Sequence, residues 1–164
     1  MIGRDGLQAS DNWATPKELY KKLDDEFHFD FDPCPLHATF DGLSVEWGMS
    51  NFINPPYSKA EEVCQEDCTK KVCKERGHCI TKRIAGKDDF IQKAYDEWRK
   101  GKTCVLLIPS ATGTAQFHDL IYPHAEIRFI RGRVAFEGVN TKGEYVTTKK
   151  GKHDSMIVIF RGKA

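Results

Sequence analysis

The sequence lacks the long apolar runs that membrane proteins need. No stretch approaches the roughly 20 apolar residues of a transmembrane helix, and the N-terminal segment MIGRDGLQASDN has no signal-peptide core. Net charge is almost absent too, because 25 basic and 24 acidic residues give a formal charge of +1. We therefore expect a cytoplasmic protein without a membrane partner. The total charge does not indicate what other partners the protein has, so we examine how the charges are distributed along the sequence.

The sequence also lacks internal repeats and any linker that would divide it, so we expect one domain over residues 1–164. Basic residues are clustered at 70–87, at 128–133 and at 149–152. A solvated face is the ordinary explanation of one such cluster. Three of them on a nearly neutral chain favour a polyanionic partner. The candidate contacts are Lys70, Lys71, Lys74, Arg76, Lys82, Arg83 and Arg133.

The hydrophobic pattern predicts strands that alternate with helices. Helices are predicted for TPKELYKKLDDEF, with Thr15 as N-cap and Pro16 at the first helical position, and for KDDFIQKAYDEWRKG and TAQFHDLIYP. Strands are predicted for FHFDFDPC, NFINPP, AEIRFI and SMIVIFRG, and for TCVLLIP, whose unbroken apolar run is typical of a strand buried on both faces. The alternation predicts an α/β layered fold with a mostly parallel sheet.

The segment FINPPYSK carries the strongest chemical signal. Asn-Pro is a common turn opener, so an ordinary turn is one explanation. The other is a stiff segment at the carboxyl end of a strand, which is where ligands bind in open α/β sheets. Asn54 would then supply a side-chain carbonyl, Pro55 a backbone carbonyl and Tyr57 a flat ring. Two acceptors and a stacking surface suit a planar group that carries an NH2.

Six segments in this order resemble the phage-type Dam-like DNA N6-adenine methyltransferases: DNWATPKELYKKL, FDFDPC, DGLSVEW, FINPPYS, TCVLLIPSATGTAQFHDLI and AEIRFIRGRVAF. The resemblance implies a phage- or prophage-encoded enzyme of the bacterial cytoplasm, of the kind found in restriction-modification. It implies that S-adenosylmethionine methylates N6 of an adenine flipped out of duplex DNA. The catalytic residues would be Asn54, Pro55, Pro56 and Tyr57, hereafter the NPPY block.

The resemblance also implies a cofactor site. Thr15 and Pro16 correspond to the segment that lies near the cofactor, and Asp32, Pro33 and Cys34 to the loop that meets its methionine end. Asp32 is either this cofactor contact or a carboxylate that caps a helix or stabilises a turn. Asn54 is a candidate for both the catalytic and the cofactor-binding set. Asp41 is a turn residue or a cofactor contact, and Trp13 stacks on the cofactor or covers the core.

The resemblance has two departures. The loop DPCPLHATF lacks the glycine pair that is usual in this superfamily. The segment 33–53 is also shorter than the about 30 residues that a full βαβ unit needs. We therefore expect a pared-down Rossmann-like fold.

The chemistry follows from the nature of the amino group. The exocyclic nitrogen of adenine is a poor nucleophile because its lone pair is delocalised into the ring. If Asn54 Oδ1 and the Pro55 carbonyl accept its two N–H bonds, the lone pair is localised and the growing charge is stabilised by fixed dipoles. Tyr57 would stack on the extruded base. Aspartate often fills the Asn54 position; the neutral amide cannot take the final proton, which must leave to solvent.

Two alternatives are compatible with the same residues. The same block occurs in enzymes that act on cytosine N4, on RNA or on a protein glutamine, although a glutamine enzyme has little need of basic clusters. The chain could also be a catalytically inactive relic that still binds DNA, which the missing glycine pair favours and the intact NPPY block disfavours.

Four of the six cysteines lie in a polar, basic insert, residues 64–87, with the spacing C-x3-C-x4-C-x5-C. Four thiolates on Zn2+ would supply folding energy to a segment without a core. The spacing is looser than the C-x2-C pairs of zinc knuckles, so a flexible basic loop with free thiols is the alternative. The candidate ligands are Cys64, Cys68, Cys73 and Cys79, with His78 as a substitute.

Overall fold

A computed structural model describes residues 13–139 and 144–163. The chain forms three α-helices, one π-helix and six strands within these ranges. Their bounds are α1 Lys17–Phe27, β1 Ser50–Ile53, α2 Lys71–Arg76, α3 Lys87–Arg99, β2 Thr103–Pro109, the π-helix Phe117–Ile121, β3 Glu126–Phe129, β4 Ala135–Val139, β5 Tyr145–Lys150 and β6 Ser155–Phe160. In these two ranges no helix combines the length and the hydrophobicity needed to cross a membrane.

The main sheet is mixed, and the prediction of a mostly parallel sheet is wrong. Its strand order is β1-β2-β6-β3. β1 pairs with β2 in parallel, whereas β6 is antiparallel to both β2 and β3, so two of the three pairings described are antiparallel. The reason is that β6 returns between β2 and β3 after the β4–β5 hairpin. All six of its residues are buried, and the five that follow Ser155 have the same continuous apolar pattern that a buried parallel strand has.

Two hydrophobic layers cover the faces of this sheet. Alternate residues of β2 point to opposite faces. Leu106 and Ile108 pack with α3 on one face, and Val105 and Leu107 pack with α1 on the other. The fold is therefore an α/β structure with helices on both faces, which confirms the layered α/β part of the prediction.

The first helix begins one residue later than the capping pattern suggests. Pro16 and not Thr15 is the residue that precedes α1, and the Thr15 hydroxyl instead accepts a hydrogen bond from Asn54. After α1, the predicted strand is reduced to one parallel bridge between Phe31 and Asn51. The Asp30 carboxylate accepts the N–H groups of Met49 and Ser50 there, so a side chain replaces part of the ladder.

The amino end of the sheet is held by a buried ion-pair network. Glu97 of α3 is fully buried, and its carboxylate lies 2.7 Å from Lys102 Nζ, 3.0 Å from Lys93 Nζ and 3.1 Å from Lys100 Nζ. Lys102 also donates to the Trp47 carbonyl at 2.8 Å. Burial would raise the pKa of Glu97, but the hydrogen bonds from the three lysines outweigh it and lower the pKa to about 2.

We predict that Glu97→Gln lowers the free energy of unfolding by about 3 kcal/mol, because it leaves the buried Lys102 ammonium with the exposed Glu46 carboxylate, 3.6 Å away, in place of a buried partner. A carboxyl with a depressed pKa stabilises the fold above its unfolded pKa. The Glu97 contribution should therefore be lost as the pH falls from about 4.5 to about 2. Urea unfolding at pH 7 and at pH 3 measures both effects. Asp25→Asn, which breaks the exposed Lys21–Asp25 pair, is the control and should leave stability nearly unchanged; an equally small effect of Glu97→Gln would contradict the prediction.

Candidate active site

The NPPY block lies at the carboxyl end of β1. β1 ends at Ile53, opposite Leu106 of β2, and Asn54 is the next residue. Asn54 is 7% exposed, and its amide nitrogen donates to Thr15 Oγ1 at 3.1 Å and to the Trp13 carbonyl at 3.5 Å. These two contacts orient the amide group between the chain before α1 and the end of β1. A polar side chain held in this way at the ligand edge of a sheet is preorganised for hydrogen bonding to a ligand.

The two prolines stiffen the exit from the sheet. Pro55 and Pro56 are both buried, and Pro56 is among the most completely buried side chains of the described residues. Neither residue has an N–H group to continue the ladder with β2, so the parallel pairing stops at Ile53. The chain therefore leaves the sheet in a fixed direction directly after Asn54.

Both the hydroxyl and the ring of Tyr57 make contacts within the fold. Its hydroxyl donates to the carbonyl of Leu107 at 3.1 Å, one residue beyond the last residue of β2 that pairs with β1. Its ring is half-buried and meets Phe136 edge-on, with 5.9 Å between the ring centroids. The hydroxyl thus has a structural contact that the sequence did not indicate.

The loop after Phe31 brings an acidic side chain to the same edge. The bridge to Asn51 runs this segment alongside β1, and Asp32 Oδ1 accepts the N–H of Cys34 at 2.7 Å. Although the loop has no glycine pair, it packs closely on Gly42, where a Cβ atom would lie only 2.0 Å from the Pro33 carbonyl oxygen. The close packing of this loop therefore depends on a glycine that lies outside it.

A cleft of about 150 Å³ opens between these segments. Four residues that the sequence nominated for the cofactor line it, namely Thr15, Asp32, Cys34 and Asn54. Four residues that sequence reasoning missed also line it, namely Ala14, Tyr20, Leu36 and Phe52. Tyr20 had a readable signal, because it is an aromatic residue of α1 next to, and not within, the apolar stripe of Leu19, Leu23 and Phe27.

The other nominated cofactor residues surround the cleft without lining it. The carbonyl of Trp13 accepts from Asn54 and its side chain packs on the α1 face of the core. Pro16 precedes α1, and Pro33 packs on Gly42. Asp41 accepts the Leu43 N–H at 3.0 Å and the Ser44 hydroxyl at 2.6 Å, and the Ser44 bond lowers the pKa of its carboxyl.

The four cysteines of the insert are brought together. The ligand atoms of Cys64, Cys68, Cys73 and Cys79 all lie within 4.8 Å of one another. The Sγ atom of Cys73 is 3.6 Å from that of Cys64 and 3.7 Å from that of Cys68. A hydrogen bond from the Lys70 N–H lowers the pKa of Cys68 to about 7, whereas hydrogen bonding to Cys68 raises that of Cys79 to about 12. The proposed substitute, His78, is exposed and does not belong to the group.

The nominated basic residues fall into two groups. Arg76 pairs with Glu61 at 3.0 Å, and Arg83 pairs with Glu62 at 2.8 Å and Asp89 at 3.2 Å. The side chains of these two arginines therefore hold the insert itself. The others are exposed on the surface: Lys70, Lys71, Lys74, Lys82 and Arg133, with Lys71 3.7 Å from Glu75.

The sequence profile of the family described as DNA N-6-adenine-methyltransferase (Dam) matches residues 6–164, which is nearly the whole chain. The chain belongs to the Dam family. Membership confirms the resemblance seen in the sequence, and it implies a methyltransferase that acts on adenine in DNA and uses S-adenosylmethionine. No curated protein and no solved structure matches this Dam-family chain.

We predict that Tyr57→Phe lowers the free energy of unfolding by about 1 kcal/mol, because the Leu107 carbonyl loses its hydroxyl donor. Urea unfolding measures the change. Tyr122→Phe is the matched control, since Tyr122 is 68% exposed and its variant should unfold like the wild type. Equal midpoints for both variants would show that the Tyr57 hydroxyl contributes nothing to stability.

Proposed function

We propose that the NPPY block transfers a methyl group from S-adenosylmethionine to the N6 amino group of an adenine flipped out of duplex DNA. The observation that carries this proposal is the position of Asn54. It is oriented by Thr15 and Trp13 at the carboxyl end of β1, and it borders the cleft that also contains Asp32. The amide that would hold the target amino group therefore adjoins the cavity that would hold the methyl donor.

The donors around the cleft fit the methionine end of S-adenosylmethionine. The Asp32 carboxylate suits a positively charged ammonium or sulfonium group, and Thr15, Cys34 and Asn54 add polar atoms. At about 150 Å³ the cleft is smaller than the about 300–1,000 Å³ of a drug-sized ligand site, so it takes only part of the cofactor. Trp13, Pro16, Pro33 and Asp41 would support its walls. When bound, the cofactor supplies an electrophilic methyl group.

The protein's own groups would prepare the adenine. Asn54 Oδ1 and the Pro55 carbonyl accept the two N–H bonds of the amino group, which localises the nitrogen lone pair and aims it. The buried prolines keep the two acceptors at a fixed spacing. Tyr57 offers a ring face to the extruded base. Because Asn54 is neutral, the proton released from the amino group goes to solvent.

Membership of the Dam family favours adenine in DNA over cytosine N4, RNA or a protein glutamine. The inactive-relic alternative rests on the glycine pair that the loop lacks; Gly42 packs on this loop at the Pro33 carbonyl from outside it. Titration calorimetry with S-adenosylhomocysteine separates the remaining two possibilities: saturable binding supports an enzyme, and its absence supports a relic.

We predict that Asn54→Ala lowers the rate of methyl transfer about 100- to 1,000-fold, the usual effect of removing one preorganised hydrogen-bonding group. Asn54→Asp is the comparison variant: it keeps an acceptor at the same position but loses the donation to the Trp13 carbonyl, so its rate should lie between those of Asn54→Ala and the wild type. Transfer of radiolabelled methyl groups to duplex DNA measures the rates, and thermal unfolding checks that each variant folds. Activity of Asn54→Ala within tenfold of the wild type would reject the assignment.

The proposal includes Zn2+ at the four cysteines of the insert. Tetrahedral Zn2+ with bonds of about 2.3 Å to sulfur sets neighbouring sulfur atoms about 3.8 Å apart. Two of the six sulfur–sulfur separations, 3.6 and 3.7 Å, fit that edge, and all six are within 4.8 Å. The N–H of Ile80 also donates to Cys64 Sγ at 3.3 Å, and that of Lys70 bonds Cys68. Such bonds stabilise thiolates that hold a metal.

We predict close to one Zn2+ per chain in protein purified without chelators. Elemental analysis measures the content, and release by a mercurial reagent into a colorimetric zinc indicator shows that thiolates hold the ion. The Cys64→Ser/Cys73→Ser variant should contain almost none, whereas Cys104→Ser, which removes a buried thiol of β2, should retain it. A wild-type content near zero would reject the zinc site and leave the methyltransferase proposal intact.

A further inference from the structure

The insert has almost no hydrophobic core of its own. Among residues 64–87, all of which the structure describes, only Cys73, Ile80 and Gly86 are buried, while Val72 is about half exposed. Its one helix, α2, has six residues, which is far below the length at which an isolated helix is stable in water. Something other than apolar burial must therefore hold this segment in one conformation.

The root of the insert is fastened directly beside the NPPY block. Glu61 and Ile84 exchange both backbone hydrogen bonds, at 2.9 and 3.0 Å, and form a closed neck. Behind the neck, the Lys87 N–H donates to the Ser58 carbonyl at 3.1 Å. A Cβ atom on Gly86 would lie 2.2 Å from the backbone nitrogen of Ala60, so the two chains are in tight contact. The neck begins four residues after Tyr57.

Beyond the neck, the cysteines lie on each part of the insert in turn. Cys64 lies on the outgoing chain, where its N–H donates to the Ile80 carbonyl at 2.9 Å. Cys68 lies in the turn before α2, Cys73 within α2 and Cys79 on the returning chain. One ion bound to all four thiolates would cross-link the outgoing chain, α2 and the returning chain. Arg76 completes the arrangement by donating to Cys73 Sγ at 3.3 Å, to the His78 carbonyl at 3.1 Å and to Glu61 at 3.0 Å.

The lysines of the insert, unlike its arginines, are available at the surface. The two arginines of the insert are engaged by acidic partners at its base, so they are poorly placed for phosphate. Lys70, Lys71 and Lys74 are exposed at the start of α2 and within it. Lys71 lies 3.7 Å from Glu75, but both side chains of this pair are exposed, so phosphate can compete for the lysine. Lys71 and Lys74 lie on α2 and Lys70 directly precedes it, so Cys68 before the helix and Cys73 within it anchor the segment that carries all three lysines.

We propose that the metal–thiolate centre is a structural cross-link, or staple, that presents Lys70, Lys71 and Lys74 to the phosphates beside the flipped adenine. DNA affinity then depends on the metal, whereas cofactor affinity does not. This inference rests on the proposed Zn2+ site and on DNA as the substrate. None of the residues that line the cleft belongs to the insert, which is why the two binding events separate.

The experiment measures DNA affinity against salt concentration for four proteins: the wild type, Cys64→Ser/Cys73→Ser, Cys79→His, and the triple variant Lys70→Ala/Lys71→Ala/Lys74→Ala. Each lost phosphate contact reduces the slope of log K against log salt by about 0.9 on duplex DNA. We expect the triple variant, with its zinc retained, and the double cysteine variant to lose about 2 to 3 units of slope each. Cys79→His, which keeps a zinc ligand, should retain the wild-type slope.

Calorimetry with S-adenosylhomocysteine is run on the same proteins and should give the same affinity for all four, which also shows that the variants are folded. The control variant Arg99→Ala/Lys163→Ala removes two exposed charges near the amino end of β2, away from the NPPY block, and should not change the slope.

A wild-type slope in the triple lysine variant would overturn the proposed surface. A wild-type slope in a zinc-free cysteine variant would overturn the staple. Loss of cofactor affinity along with zinc would contradict the separation of the two sites. None of these results would alter the assignment of Asn54, which is tested by methyl transfer.

Discussion

The parallel pairing of β1 with β2 extends over only Ser50–Ile53 and Thr103–Leu106, and the position of the site depends on it. The register sets Asn54 at the point where the ladder stops. The two prolines that follow cannot donate to β2, so the chain must turn away there. The Leu107 carbonyl beyond the paired residues is taken by the Tyr57 hydroxyl, which draws the turning chain back against the end of the sheet.

The two ends of the sheet are built for different purposes. At the amino end, Glu97 and Lys102 form a buried pair that joins α3, β2 and the Trp47 segment. At the carboxyl end, Asp32 and Asn54 border a cleft. Paired charges in the interior resist local opening, because separating them exposes an uncompensated buried charge. The polar groups around the cleft are held by neighbouring residues and yet border a space that a ligand can enter.

The insert between β1 and α3 shows how a small domain can carry an additional surface without enlarging its core. Its neck is joined to the main fold by backbone hydrogen bonds, and its distal part contains clustered thiols in place of apolar side chains. Arg76 and Arg83 are then used to hold the insert, and lysines are left at the surface. The division is chemically reasonable, because an arginine fork binds carboxylates in a defined geometry whereas a lysine is a mobile point charge.

Local patterns in the sequence were sufficient for most elements and for the position of the NPPY block at the carboxyl end of a strand. Apolar periodicity located α1, α3, β1, β2 and β6, and the cysteine spacing located the insert. The direction of β6 was not predictable, because a strand buried on both faces shows the same apolar run whichever way it points. The β5 strand was also missed, as was the one-residue shift at the start of α1.

The sequence by itself determined which residue types are present at the site: an amide and two prolines after a buried strand, an acid in the preceding loop, and four thiols in a coreless segment. Only the tertiary structure decided what each of them contacts. Tyr20 lines the cleft, and the Tyr57 hydroxyl donates to the Leu107 carbonyl. Asp41 accepts hydrogen bonds from its own loop, and Arg76 pairs with Glu61. The physical reason is that burial and propensity are local properties of a segment, whereas a hydrogen-bond partner is supplied by whichever distant segment the packing brings within about 3 Å.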